Sequence, residues 1–290
     1  MTSAPRRTWR RRLLTWSGIV VVAWWSTGIL VARLLVRPRP AAIAPLSELD
    51  GQPVEDVATT TADGVTVRGW FVRGRDPVTC VVLAAGIRGN RQTMRSRASF
   101  HLARGSSVLL VDLRGTGASD PVLIAMGWHE ALDLCAWHAF LRARGVSAIG
   151  VHGQSLGAAA AVYTAVRGAP EWAFVVLESC YADVREALAA RLPVVPSFLL
   201  WPVEVAGGWW LGADPAELVP ERAIAALRAP TLIVQGELDV KVGPRAKERL
   251  FAASGASRKA RCDVPHAGHQ DLWGHGGRVQ AAITAFLLPR

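Results

Sequence analysis

Seven short strand-like runs, six of them largely apolar, punctuate residues 66–264, and they constrain the fold more than any other feature of the chain. They read TVRGWFV (66–72), TCVVLAA (79–85), SVLLVDL (107–113), AIGVHG (148–153), AFVVLES (173–179), TLIVQG (231–236) and KARCDV (259–264). A strand with one wet face alternates apolar and polar residues, whereas a continuous run suits a strand covered on both faces. Helical patterns fill gaps between the runs. GWHEALDLCAWHAFLRARG (127–145) sets Ala131, Leu134, Cys135, His138 and Leu141 along one face and stops at Gly145, and alanine-rich LGAAAAVYTAVRG (156–168) stops at Gly168. Strands alternating with helices predict an α/β fold, a mostly parallel central sheet flanked by helices.

One interval breaks the alternation. Residues 191–230 carry prolines at 193, 196, 202, 215, 220 and 230 together with Phe198, Leu199, Leu200, Trp201, Trp209 and Trp210. The interval is too long for a simple crossover and predicts a small lid, about 191–230, inserted between two strands. A plainer reading has these large side chains only packing the insertion onto the domain.

Ahead of the sheet, LLTWSGIVVVAWWSTGILVA (13–32) contains no charge. As a helix, twenty residues cross about 30 Å of hydrocarbon. A buried core helix and a cleavable signal peptide are the alternatives. The run exceeds the roughly 7–15 apolar residues of a signal sequence, and Pro45 directly follows the one small-residue cleavage pattern, Ala42-Ile43-Ala44. The expectation is an uncleaved anchor over 13–36, a basic cytoplasmic segment over 1–12, a proline-rich linker over 37–53 and one domain over 54–290. Five arginines precede the apolar run and three follow it closely, which predicts the amino end inside and the domain outside.

That anchor also explains the net charge. The formal charge is +10, but eight of the 33 basic residues lie in the first forty positions, leaving 25 against 23 acids. No basic stripe with interleaved aromatics follows, so nucleic acid is not an expected partner. Cys80, Cys135, Cys180 and Cys262 are too scattered for a disulfide scaffold and lack metal spacing, and they read as buried small hydrophobes.

Two stretches carry chemistry. In Gly153-Gln154-Ser155-Leu156-Gly157 a strand-like run ends, a serine sits between glycines, and a small-residue helix begins. This context suits a nucleophile on a strained turn, and Ser155 is the expected nucleophile. Near the carboxyl end, VPHAGHQDLWGHGG (264–277) holds three of the seven histidines. Taken alone it is open between a metal site, a base with bystanders, and no site at all. The spacing of His266, His269, Asp271 and His275 is not the helical pair of a zinc protease, and no metal is expected.

With these motifs in hand, residues 54–290 resemble the α/β-hydrolase superfamily. DLRGTGASD (112–120) is similar to its D-x-R-G-x-G-x-S turn, APTLIVQGELDVKVGP (229–244) to the segment bearing its acid, and PHAGHQDLW (265–273) to its histidine loop. The resemblance implies Ser155 as nucleophile, Asp239 as the acid that orients the base, and His269 as the base. Glu237, and more remotely Glu178 or Asp183, are the alternative acids. His266 then reads as a rim residue and His275 as a flank of the terminal helix. The resemblance also implies an oxyanion hole made by the backbone N–H groups of Ile87 and Leu156. Here the chain departs from the family, with Ala85 where a histidine is common. Arg88 and Arg91 in the same loop read as solvated side chains, the alternative being an anion-binding role.

The implied activity is a serine hydrolase acting on a carboxylic ester, possible substrates being small molecules or acylated, lipid-like compounds, with no cofactor. The alternatives are a peptidase or aminopeptidase, a thioesterase, or a non-catalytic scaffold of the same fold, the last motivated by Ala85. The sequence assigns no oligomeric state.

Overall fold

The computed structural model describes residues 6–243, 245–270 and 272–288, so residues 1–5 of the basic segment and Asp271 lie outside the described residues. The main-sheet strands are β1 (Glu48–Leu49), β2 (Gln52–Thr60), β3 (Thr66–Val72), β4 (Asp76–Ala84), β5 (Ser106–Asp112), β6 (Ala148–Gln154), β7 (Phe174–Glu178), β8 (Thr231–Gly236) and β9 (Lys259–Val264). Their spatial order is β9-β8-β7-β6-β4-β5-β3-β2-β1. The pairs from β9 through β5 are parallel, and β3, β2 and β1 close that edge antiparallel. All seven runs form strands.

The helices follow from what each face must cover. On one face, α3 (Glu130–Ala143) and α4 (Leu156–Arg167) bury Leu134, Trp137 and Tyr163 with Ile149 and Val151 of β6. On the other, α2 (Arg95–Ala103) and α8 (Arg278–Leu287) bury Ala98, Leu102, Val279 and Ile283 with Leu83 and Leu110. Between β7 and β8 the insertion folds into α5 (Val184–Arg191), α6 (Trp201–Leu211) and short turns, and α7 (Ala246–Ala253) joins β8 to β9.

The N-terminal helix α1 spans Arg6–Val36. Within its Trp9–Val36 stretch an 18-residue window reaches a mean hydropathy of 2.0, and the helix is long and apolar enough to cross a membrane. The proline-rich linker after it is seated on the domain. Arg39–Pro40 pairs in parallel with Thr116–Gly117, and Val36 O accepts the Ile124 N–H at 2.8 Å.

Candidate active site

The loops that leave the carboxyl ends of the parallel strands β4, β6, β7, β8 and β9 converge, as they do generally in open α/β sheets. The turn after β6 is the tightest. A Cβ on Gly153 would lie 2.4 Å from the Gly157 carbonyl carbon, and one on Gly157 would lie 2.3 Å from Ala84 O. Glycine at both positions lets strand, turn and helix touch. Between them Ser155 adopts φ 50°, ψ −105°, a strained setting for a residue with a side chain. The surroundings hold it there. Its N–H donates to Glu178 O on β7 at 2.8 Å, and the next helical amide, Gly157 N–H, donates to Ala85 O at 3.1 Å.

Ser155 Oγ lies 3.1 Å from His269 Nε2. His269 Nδ1 lies 3.0 and 2.9 Å from the two Asp239 carboxylate oxygens. A glycine approach brings the loops of Asp239 and His269 together. At Gly236 a Cβ would stand 2.2 Å from Ala267 O, so only glycine lets the histidine loop cross the end of β8. Leu238 N–H then donates to Ala267 O at 3.0 Å, and the Asp239 carboxylate also accepts the Lys241 N–H at 3.0 Å, which fixes its rotamer. The Asp239 carboxylate is fully buried. Such a chain allows a serine hydroxyl to pass its proton to an imidazole whose tautomer a carboxylate has set.

The amides expected to face an oxyanion lie beside this serine. Leu156 N–H is the first of α4 and has no intrahelical acceptor. Ile87 follows Gly86, where a Cβ would stand 3.3 Å from Ser155 Cβ. Among the described residues the Ile87 N–H takes no backbone acceptor.

The alternatives fall elsewhere. Glu237 is exposed, Asp183 caps α5 by accepting the Arg185 N–H at 2.7 Å, and Glu178 is committed on the far side of the sheet. His266 is exposed at φ 60°, and the His275 carbonyl accepts the Arg278 N–H where α8 begins. Arg88 is exposed as expected, but Arg91 corrects the expectation of a solvated side chain. It is buried, with N–H and Nε donating to Asp112 at 2.7 and 2.9 Å and Nη1 reaching Asp56 at 3.1 Å. Asp112 in turn accepts the Ala118 N–H, so Arg91 ties the loop after β4 to the turn after β5.

The sequence reading passed over a polar cluster beneath Ser155. Glu178, fully buried, accepts from His152 Nε2 at 2.7 Å and Arg97 Nη2 at 2.6 Å, and His101 Nε2 lies 3.2 Å from His152 Nδ1. Burial alone would raise the Glu178 pKa, but His152 and Arg97 outweigh it and bring it down to about 2. Burial lowers that of His101 well below the usual histidine range, with His152 and Arg104 adding to it. The sign was present in the sequence, since a histidine and a glutamate interrupt two otherwise apolar runs.

Comparison with known proteins places this arrangement. The model of the X-Pro dipeptidyl-peptidase (S15) family matches residues 72–217, half of the chain. The chain belongs to this family of the α/β-hydrolase superfamily. An uncharacterized protein of Mycobacterium tuberculosis, Rv2307c, is 32% identical over 280 residues, 93% of this chain and 90% of its own. The Pyrococcus furiosus esterase Pf2001 shares the fold at TM-score 0.71 with 20% identity, covering 87% of this chain and 97% of its own. A bacterial membrane phospholipase A superposes at TM-score 0.56 with 15% identity, over 96% of this chain and 98% of its own. That share of this chain leaves no room to omit the 31 residues of α1. The protein is a serine hydrolase of the α/β-hydrolase type, with one N-terminal helix long enough to cross a membrane.

Proposed function

We propose that the protein is a membrane-anchored serine hydrolase that cleaves carboxylic esters through Ser155, His269 and Asp239. The observation that carries this reading is the unbroken hydrogen-bonded chain from Ser155 Oγ through both ring nitrogens of His269 to Asp239. Ser155 Oγ attacks the acyl carbon while His269 Nε2 takes the hydroxyl proton, and Asp239 accepts from Nδ1–H and steadies the imidazolium. The N–H groups of Leu156 and Ile87 stabilise the developing oxyanion. His269 then returns the proton to the departing alcohol, leaving Ser155 acylated. Water, activated by the same imidazole, releases the acid and restores the serine.

Two features favour an acylated or lipidic ester. The membrane-capable helix lies beside the tryptophan-bearing insertion, and a membrane phospholipase A shares the architecture across nearly the whole chain. The arginine bias favours a domain outside the cytoplasm, which a reporter fused to the carboxyl end tests. The S15 family match supports a second reading, a peptidase, since the same groups cleave amides. A panel of acyl esters, thioesters and aminoacyl amides offered to the detergent-solubilised protein separates these. Labelling by a fluorophosphonate tests the chemistry itself. Wild type labels, Ser155→Ala does not, and His269→Ala labels at a small fraction of the rate; an unlabelled but folded wild type would favour the non-catalytic scaffold.

A further inference from the structure

Side-chain size along α1 and α6 dictates how closely the two helices approach. A Cβ on Gly28 would lie 2.5 Å from Pro202 Cβ. Ala32 shares a buried cluster with Val203 and Ala206, and Val36 shares another with Leu211. Residues 28–36 thus run beside 202–211 in the same direction. Just before this seam Trp24 Nε1 donates to Leu199 O at 2.9 Å, and the Trp24 and Trp25 rings stand 6.3 and 5.2 Å from Trp201.

This register sets the depth of the insertion. The uncharged stretch of α1 begins after Arg12 and ends before Arg33, and its twenty residues match a hydrocarbon core about 30 Å thick. Trp24 to Ala32 therefore occupy the half of the bilayer nearer the folded domain. Leu199 to Ala206 lie alongside them at the same depth.

The surface of the insertion has the chemistry that depth requires. Val194, Phe198 and Trp201 are 90%, 69% and 51% exposed. From Leu192 to Gly212 the one charged residue is Glu204, mostly covered and paired with Arg185 at 3.1 Å. Trp209 and Trp210 are level with Arg33, whose guanidinium stands 5.9 Å from the Trp210 ring centre, the mixture expected at headgroup level. Backbone in hydrocarbon must satisfy its own N–H groups. Before α6, Pro193 and Pro196 have none, Val195 and Leu199 donate to Leu192 O and Pro196 O at 2.9 Å each, and Leu199 O takes the Trp24 indole, whereas the N–H groups of Val194, Ser197 and Phe198 take no backbone acceptor among the described residues.

We propose that the insertion is itself a membrane-embedded element. The 193–200 turn and the first half of α6 lie among lipid acyl chains of the leaflet facing the domain, and Trp209 and Trp210 sit at its headgroups. This rests on the reading of α1 as a membrane span. The lid is then held to the anchor by the Gly28–Pro202 seam and works within the lipid phase rather than above it.

The test places single nitroxide labels on the full-length protein in lipid nanodiscs, in a Cys135→Ala background, because the other three cysteines are buried. The labelled variants are Phe198→Cys and Val194→Cys in the insertion, Val20→Cys in α1, and Ser257→Cys in an exposed loop of the domain. Power saturation compares relaxation by oxygen, which concentrates in hydrocarbon, with relaxation by a water-soluble nickel chelate. The expected result is a several-fold preference for oxygen at Phe198, Val194 and Val20 and the reverse at Ser257. Nickel-accessible labels at Phe198 and Val194, with Val20 still in lipid, would overturn the embedded lid and keep the anchor. Nickel access at Val20 as well would overturn both.

Discussion

Glu178→Gln removes the charge of the cluster beneath Ser155. The wild-type carboxylate is completely buried and takes His152 at 2.7 Å and Arg97 at 2.6 Å. A glutamine carbonyl still accepts from Arg97. That one carbonyl oxygen can no longer serve both His152 Nε2 and Arg97 as the two carboxylate oxygens do. The charge is lost as well, and the Arg97 guanidinium, with 7% of its side chain exposed, is left as an unpaired buried cation. The difference between a carboxyl pKa of 4.5 and one of about 2 amounts to roughly 3 kcal/mol at neutral pH. Removing one partner of a buried ion pair typically costs about 3–5 kcal/mol, in agreement. The thermal midpoint should therefore fall by roughly 6–10 °C. Because the folded-state pKa is depressed, this stability is complete above the unfolded value of 4.5 and is lost as pH falls toward 2. The gap between wild type and variant should hence halve near pH 3, read by thermal unfolding in detergent across pH 7 to 3. Labelling by a fluorophosphonate at 25 °C should persist, because the main-chain carbonyl of residue 178, not its carboxylate, holds the Ser155 N–H. Equal midpoints at neutral pH, or a gap that widens in acid, would refute the charge argument. Lost labelling in a folded variant would restore Glu178 as a candidate acid.

Three further outcomes follow from the geometry. Asp239→Asn keeps the shape of the site but removes the charge that fixes the His269 tautomer, and labelling should slow by about 10³–10⁴ with the midpoint nearly unchanged. Gly157→Ala places a methyl 2.3 Å from Ala84 O, so stopped labelling together with a destabilisation of about 1–3 kcal/mol is expected, whereas Gly207→Ala, where a Cβ meets nothing within 4 Å, should leave both unchanged. Gly28→Leu wedges α1 from Pro202, and limited proteolysis should then cut within residues 192–212 much faster than in wild type.

What the sequence disclosed depended on how each element meets water and its neighbours. Strands buried on both faces announce themselves as apolar runs, so the sheet was legible from the antiparallel β3 through the parallel β4 to β8, and the edge strand β9 only through its alternating pattern. Ser155 was legible from its turn between a strand-like run and a helix, Asp239 and His269 from the resemblance of the segments after two such runs to the hydrolase motifs, and the structure brings the three within hydrogen-bonding reach. The edge strand β2, QPVEDVATT, was missed because it buries Val57 alone; an edge strand contributes backbone to the ladder while most of its side chains stay wet. Helix α2 was missed for the opposite reason. It buries Arg97 and His101 beside Ala98 and Leu102, so its inward stripe is half polar and produces no apolar period. That stripe faces Glu178 and His152, the two residues that interrupt otherwise apolar strands. A polar residue inside a buried run thus predicts a polar partner on the helix that covers it, since a lone buried carboxylate without donors would not remain ionised. Pairwise reasoning of this kind also applies to the insertion. Its apolar residues, read as a lid or as packing, acquire a specific neighbour only once Gly28 and Pro202 are seen to touch, because close helix contact depends on the absence of a side chain and leaves no hydrophobic signature in the sequence.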